Sequence, residues 1–217
     1  MKKKLAIIGG GELGIQILNL ALKDATYEVV GFFDDTIELN STVFNLYKNI
    51  GNFNDIISLF NKGIFDCLIL AIGYKHMKFR KEIFEKLSKK IPFATIIHKS
   101  CIIDDTATVK QGSIIYPGCI IDKNVIIEEN VLLNLGVIIA HDSILDAHCF
   151  IAPGSMVSGF VHIKNSCFIG TGTVIIDNIK IEANCTIGAA TLVNKNLIET
   201  ATYVGNPVRL LKKTSKI

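Results

Sequence analysis

A chain of 217 residues with 49% apolar side chains can bury one large core or two modest ones, which excludes a disordered protein. Its net charge of +3 comes from lysines scattered along the sequence, so no basic face for nucleic acid is expected. No run of about 18 apolar residues exists to span a membrane. The basic start, Met1 to Lys4, leads into only four apolar residues, Leu5 to Ile8, too few for a secretion signal. The expected compartment is the cytoplasm.

Residues 1–95 read as alternating strands and helices. The pattern predicts a strand over 4–8, a helix over 13–22 and strands over 29–33 and 67–72. A second helix is predicted over 78–89, closed by Pro92. This order indicates a small, mostly parallel α/β sheet, a Rossmann-like N-terminal domain. Gly9-Gly10-Gly11-Glu12-Leu13-Gly14 lies between the first strand and the first helix. Glycines there let the backbone approach a phosphate, and a helix N-terminus favours its charge. Asp34-Asp35 ends the next strand, where a ribose or base could be held. Alone, this turn suits a dinucleotide dehydrogenase as well as a nucleotide-sugar site.

From about residue 101 the period becomes six. Ile103, Val109, Ile115, Ile121, Ile127, Leu133, Ile139 and Leu145 recur at that spacing. Ile151, Val157, Ile163, Ile169, Ile175, Ile181, Ile187 and Val193 continue it, and all sixteen are aliphatic, which chance does not produce. Four residues after each stands a small or β-branched residue such as Ser113, Val125 or Ser143. One aliphatic and one small inward position per hexapeptide is the pattern of a parallel β-helix, with three hexapeptides closing an eighteen-residue coil. Roughly five such coils fit between residues 103 and 193. Cys119, Cys149, Cys167 and Cys185 occupy the small inward position and should stack as buried thiols rather than metal ligands or disulfides. The predicted organisation is thus 1–95, a β-helix over 96–202, and a C-terminal cap with a basic tail over 203–217.

Packing fills the inward positions, so chemistry belongs at corners and outer faces. His141-Asp142 falls at a corner pointing away from the core. An imidazole can remove a proton near neutral pH, and an adjacent carboxylate can hold its tautomer. A solvated corner histidine with no role is the plain alternative. Gly159 lies one coil further along the same corner, leaving room for a ligand beside the ring. His148, at another corner, and His162, at a strand end, are expected to be surface histidines. Ser143 should point inward, which leaves no nucleophile beside the base and favours direct transfer. After the last coil, Tyr203-Val204-Gly205-Asn206-Pro207-Val208-Arg209 leads to Lys212 and Lys213. Gly205, Pro207 and Arg209 could cap the prism and meet the phosphates of coenzyme A, or form only a solubilising cap.

Together the glycine turn, Gly31-Phe32-Phe33-Asp34-Asp35, Ala71-Ile72-Gly73, Ile97-His98-Lys99-Ser100, the hexapeptides and the Gly-Asn-Pro-Val-Arg ending span nearly the whole chain. They resemble the bacterial sugar O- and N-acyltransferases of the sialic-acid O-acetyltransferase type (NeuD/PglD-like). Within that group the nearest resemblance is to N-acetyltransferases of nucleotide-linked 4-amino-4,6-dideoxy sugars. The resemblance implies a left-handed β-helix, a homotrimer with active sites between subunits, acetyl-CoA as acyl donor and no metal. It implies His141 as general base and Asp142 as its acidic partner. Gly11, Glu12, Leu13, Asp34, Asp35 and Gly73 would line the nucleotide-sugar site. Thr171 and Ala189 would meet acetyl-CoA through backbone groups, and Gly159 is grouped with them. Phe150 stands where some relatives carry a second histidine that contacts the acyl donor. The glycine turn lacks the family's usual Gly-His pair, and Tyr74 replaces a common Asn.

Other classes fit less of the chain. A NAD-dependent oxidoreductase leaves the hexapeptides unexplained. A metal-dependent hydratase needs three ligands at one corner, which the spacing of His141, His148 and His162 does not provide. A non-catalytic nucleotide-sugar-binding trimer leaves the His-Asp corner without a use. An O-acyltransferase acting on sialic acid could use the same corner.

Overall fold

The computed structural model describes residues 1–213; residues 214–217 of the predicted tail, and the side chains of Lys212 and Lys213, lie outside the described residues. The chain divides into two compact units, Met1–Ile96 and Ile97–Ile217.

In the first unit, β1 (Lys3–Ile8), β2 (Tyr27–Phe33), β4 (Tyr47–Gly51) and β5 (Cys67–Leu70) form a parallel sheet, edged by the antiparallel strand β3 (Thr42–Phe44). The order is β3-β4-β2-β1-β5, so β1 lies inside the sheet between β2 and β5, and its Leu5 to Ile8 run is buried on both faces. Helices α1 (Glu12–Ala21), α2 (Ile56–Asn61) and α3 (Met77–Leu87) complete the unit. Ile17, Leu18 and Ala21 form the buried stripe of α1, and Phe84 of α3 packs on Phe93 with ring centroids 4.6 Å apart. Each expected strand and helix is present with ends shifted by up to two residues. The hairpin of β3 and β4 and the short α2 were not expected. The hairpin turns through Asn45 at φ 51°, followed by Leu46 rather than by the glycine that usually marks such a turn.

The second unit consists of two-residue strands joined by corners. One sheet holds six strands, from Ile102–Ile103 to Leu192–Val193, and a second holds five, from Thr108–Val109 to Lys180–Ile181. The third begins at Ile96–Ile97, where the units divide, and ends in an antiparallel hairpin of Ala201–Val204 and Arg209–Lys213. Between Ile102 and Val193 the strands pair in parallel at a spacing of eighteen residues, as in Ile121 with Ile139 and Ile139 with Val157, and the hairpin joins at sixteen, Thr186 with Thr202. This is a left-handed parallel β-helix.

The aliphatic series fills its core from Ile115 to Val193, with Ile103 and Val109 only half-buried at the first coil. The small series lines the same interior, and Cys119, Cys149, Cys167 and Cys185 are buried free thiols within it. A third series at the same period sits at the corners with positive φ: Asn124, Asn130, Gly136, Asp142, His148, Gly154, Phe160, Ser166 and onwards. Glycine, Asn and Asp tolerate that region, whereas a Phe there is held by its surroundings.

Candidate functional site

The glycine turn of the first unit is tied to the end of β2. Gly9 donates its N–H to the Phe33 carbonyl at 2.9 Å, and Gly10 donates to Asp34 Oδ2 at 2.8 Å. A Cβ on Gly14 would lie 2.1 Å from the Gly9 oxygen, so only glycine lets α1 pack this close to the turn. Asp34 Oδ1 accepts from the Thr36 hydroxyl at 2.6 Å and the Thr36 N–H at 2.8 Å. Burial works against the Asp34 charge, but the Thr36 hydroxyl and the N–H groups of Gly10, Thr36 and Ile37 together outweigh it and hold the carboxyl below its ordinary value. Both oxygens of Asp34 are therefore engaged in shaping the turn.

Asn49 was not singled out from sequence. Its buried amide donates to the carbonyls of Asp34 and Ile37 and accepts from the Asp34 N–H, fixing the loop after β2. The loop atoms it holds, at Asp34 and Ile37, lie twelve or more positions away, so no spacing signals it. Asp35 accepts from the Phe53 N–H at 2.8 Å. Gly11 caps α1 with open space above it, Glu12 is exposed in the first turn, and a Cβ on Gly73 would meet Leu13 at 4.0 Å. The turn, Asp34 and Gly73 thus converge on one end of the parallel sheet, where open α/β sheets take their ligands.

In the β-helix, the strand Ile138–Ile139 delivers His141 to the corner between the first and second faces. His141 Nδ1 lies 2.9 Å from Asp142 Oδ2, with 40% of the histidine side chain and 30% of the aspartate exposed. Asp142 Oδ1 accepts from the Asn124 amide at 2.9 Å. That amide first, and then the His141 ring, hold the Asp142 carboxyl below its ordinary value. With a charged carboxylate at Nδ1, the tautomer that fits carries its proton there and leaves the Nε2 lone pair open to a partner. Phe160, at φ 57°, sets its ring edge-to-face on His141 with centroids 5.2 Å apart. Gly159 lies against the imidazole: a Cβ there would sit 2.7 Å from Cε1 and 2.9 Å from Nε2. Asn124 and Phe160 were also missed, although each stands eighteen residues from Asp142, the coil period itself.

Ser143 is fully buried, donating to the Ser158 carbonyl at 2.9 Å, and so is no nucleophile. His148 is not the expected surface residue. It is 6% exposed, 2.9 Å through Nδ1 from the amide nitrogen of the buried Asn130. His162 is half-buried and pairs with Asp146 at 3.0 Å.

The positions assigned to the acyl donor form a separate line. Thr171 and Ala189 occupy successive coils at the corner after the third face, where Ala190 donates to the Thr171 carbonyl at 2.8 Å. The C-terminal hairpin continues this corner, because Gly188 donates to the Tyr203 carbonyl at 2.8 Å and Gly205 lies in the hairpin turn. Pro207 follows a cis peptide bond, and the exposed Arg209 begins the last strand, its Nε 3.6 Å from where a Gly205 Cβ would be. Phe150 is buried on the outer side of the third face, 5.9 Å from Phe168 between ring centroids. Within one chain the fold therefore groups Gly159 with His141, and Thr171, Ala189 and Gly205 with one another at a different corner. Phe150 joins neither group.

The first face carries a shallow groove of about 450 Å³ that runs past Ile102, Ile120 and Ile138 to Ala140, beside His141. Asp104, Asp105 and Asp122 rim it, so it repels a pyrophosphate. Among the described residues no cluster of His, Cys, Asp and Glu could hold a metal ion, and no helix is long and apolar enough to cross a membrane.

Residues 4–87 match the PglD N-terminal domain family. The acetyltransferase domain of PglB from Neisseria gonorrhoeae, solved with acetyl coenzyme A, superposes with a TM-score of 0.87 at 27% identity, covering 97% of this chain and 100% of that one. The first unit therefore carries a PglD N-terminal domain, and the whole chain is similar to that acetyltransferase domain. The same fold appears in a variant of perosamine N-acetyltransferase from Caulobacter crescentus, solved with CoA and GDP-perosamine, at TM-score 0.89 and 21% identity over 97% of both chains. WeeI from Acinetobacter baumannii shares it at TM-score 0.82 and 24% identity, over 95% of this chain and 99% of that one. No curated protein sequence matches. In this PglD-like chain the family match falls on the unit that carries the glycine turn, and the His141 corner lies in the β-helix.

Proposed function

We propose that this protein is an acetyl-CoA-dependent N-acetyltransferase acting on the 4-amino group of a nucleotide-linked 4-amino-4,6-dideoxy sugar for bacterial glycan synthesis. The observation that carries the reading is the Asp142–His141 pair beside Gly159, an oriented imidazole with a free face on a corner of the β-helix. The likeness to a PglB acetyltransferase domain with acetyl coenzyme A supports the acyl donor.

In the reaction the neutral sugar amine attacks the thioester carbonyl, and His141 Nε2 takes the proton that the nitrogen loses. Asp142 stabilises the imidazolium, which then protonates the departing CoA thiolate. The glycine turn and the N-terminus of α1 hold the diphosphate, with Glu12, Leu13, Asp35 and Gly73 around the nucleotide sugar. Thr171, Ala189 and Gly205 present backbone groups to the acyl donor, and Arg209 meets its phosphates.

The working form is a cytoplasmic homotrimer with its active sites between subunits. On the first face the outward residues are all apolar, with Ile102 67%, Ile120 39%, Ile138 36% and Met156 46% exposed. The second face instead carries the Lys110–Glu128 and Lys164–Glu182 ion pairs at 2.7 and 2.9 Å. An apolar stripe of this length calls for a protein cover, and His141 stands at its margin.

The test is acyl transfer from acetyl-CoA, read as free thiol, across UDP-, dTDP- and GDP-linked 4-amino sugars. Turnover on one of them should fall by about 10²–10⁴ in His141→Ala. Turnover that survives the substitution would remove His141 from the mechanism.

A further inference from the structure

Thr106, Asn124, Asp142 and Phe160 form one column up the corner that carries His141, each a coil apart. The Asn124 N–H donates to the Thr106 hydroxyl oxygen at 2.8 Å, and that hydroxyl donates to Asp104 at 2.6 Å. The Asn124 side chain faces the other way, donating to Asp142 Oδ1 and leaving Oδ2 for His141. A corner residue at φ 56° needs only Gly, Asn or Asp, so the backbone does not require an amide here. Nor is the upward bond a habit of the column: Asn178, at the same corner, turns to its neighbour Asp177 at 2.7 Å.

We infer that Asn124 is a positioning residue for the transfer, setting the carboxylate of Asp142 so that His141 presents Nε2 to the amine; this rests on His141 being the base. A carboxylate held at one oxygen swings about its Cβ–Cγ bond, and the imidazole it anchors moves with it. Asn124 clamps the second oxygen and leaves one geometry. The charged groups bearing on Asp142 are the His141 ring and the Lys123 ammonium, since Asn124, Thr106 and Phe160 do not ionise.

The variants are chosen to spare the backbone. Asn124→Gly keeps the corner conformation and removes the amide. Asn124→Asp keeps conformation and shape but places a second carboxylate against Asp142, which disfavours both charges. With His141→Ala as control, kcat should fall about tenfold in Asn124→Gly, short of the loss from removing the base, with little change in KM for either substrate. Asn124→Asp should lose more at about pH 8, and its activity relative to the parent should recover as the pH falls and one carboxyl takes a proton to donate to the other. A structural role predicts the opposite order, because Asp suits the corner and keeps the bond to Thr106.

Nitrogen NMR of the His141 ring reads the same point without turnover. The parent should show Nδ1 protonated, and Asn124→Gly a mixture of tautomers. Unchanged ring nitrogens in Asn124→Gly, or parental kcat and pH profile in both variants while His141→Ala is inactive, would overturn the inference and leave the base assignment standing. If His141→Ala stays active, the base assignment fails and the ring spectrum alone decides whether Asn124 orients the imidazole.

Discussion

A methyl group on Gly159 would lie 2.7 Å from Cε1 and 2.9 Å from Nε2 of His141. Carbon atoms in contact settle near 3.5 Å, so the ring must retreat by about 0.8 Å or rotate away. Its Nδ1 sits 2.9 Å from Asp142, and retreat lengthens or bends that bond. Gly159 is not in the left-handed region, so alanine adds no backbone strain, and the exposed ring can move without disturbing the core. Folding stability in Gly159→Ala should therefore change by less than about 1 kcal/mol. A misplacement of about 1 Å at a catalytic group costs on the order of a hundredfold in rate, close to 2.7 kcal/mol of barrier. The assay is thiol release from acetyl-CoA with the sugar that supports turnover, alongside thermal unfolding. Parental kcat with parental stability would refute the placement of the reacting atoms beside this face of the ring. Loss of rate with loss of fold would refute the claim that the corner tolerates a methyl group.

Two more outcomes follow from the same geometry. The carboxyl of Asp34 is held below its ordinary value, so the stability it contributes is present in full above the value it has in the unfolded chain and is lost as pH falls through the lower folded value. Asp34→Asn should therefore be less stable than the parent at about pH 7 in denaturant unfolding, with the gap closing as pH falls below the ordinary carboxylate range; a gap that persists in strong acid would refute the role of the charge. Ile120→Glu places a carboxylate in the middle of the apolar first face without entering the core. Light scattering should then report a trimeric parent and a monomeric variant, with transfer lost alongside, and a trimeric Ile120→Glu protein would move the subunit contact to another face.

The sequence alone determined the β-helix, because a hexapeptide repeat is a local rule: each coil needs one aliphatic and one small residue inside, and stacking satisfies every coil in the same way. Ile115 to Val193 could be placed in the core, Ser143 inside and His141 outside from the register alone, and the structure agrees at each. The glycine turn was legible for a similar reason, since Gly14 meets a backbone clash only five residues away at Gly9. Tertiary structure decided what depends on partners distant in the chain. His148 looked like any corner histidine, and its burial beside Asn130 comes from packing that the period does not encode. Asn49 has its effect on backbone atoms of the loop after β2, which only the fold brings to it. Asn124 and Phe160 lie between these cases. Their spacing of eighteen from Asp142 put them on its corner, but whether an amide points up its column, like Asn124, or sideways, like Asn178, is a rotamer choice set by its neighbours in space.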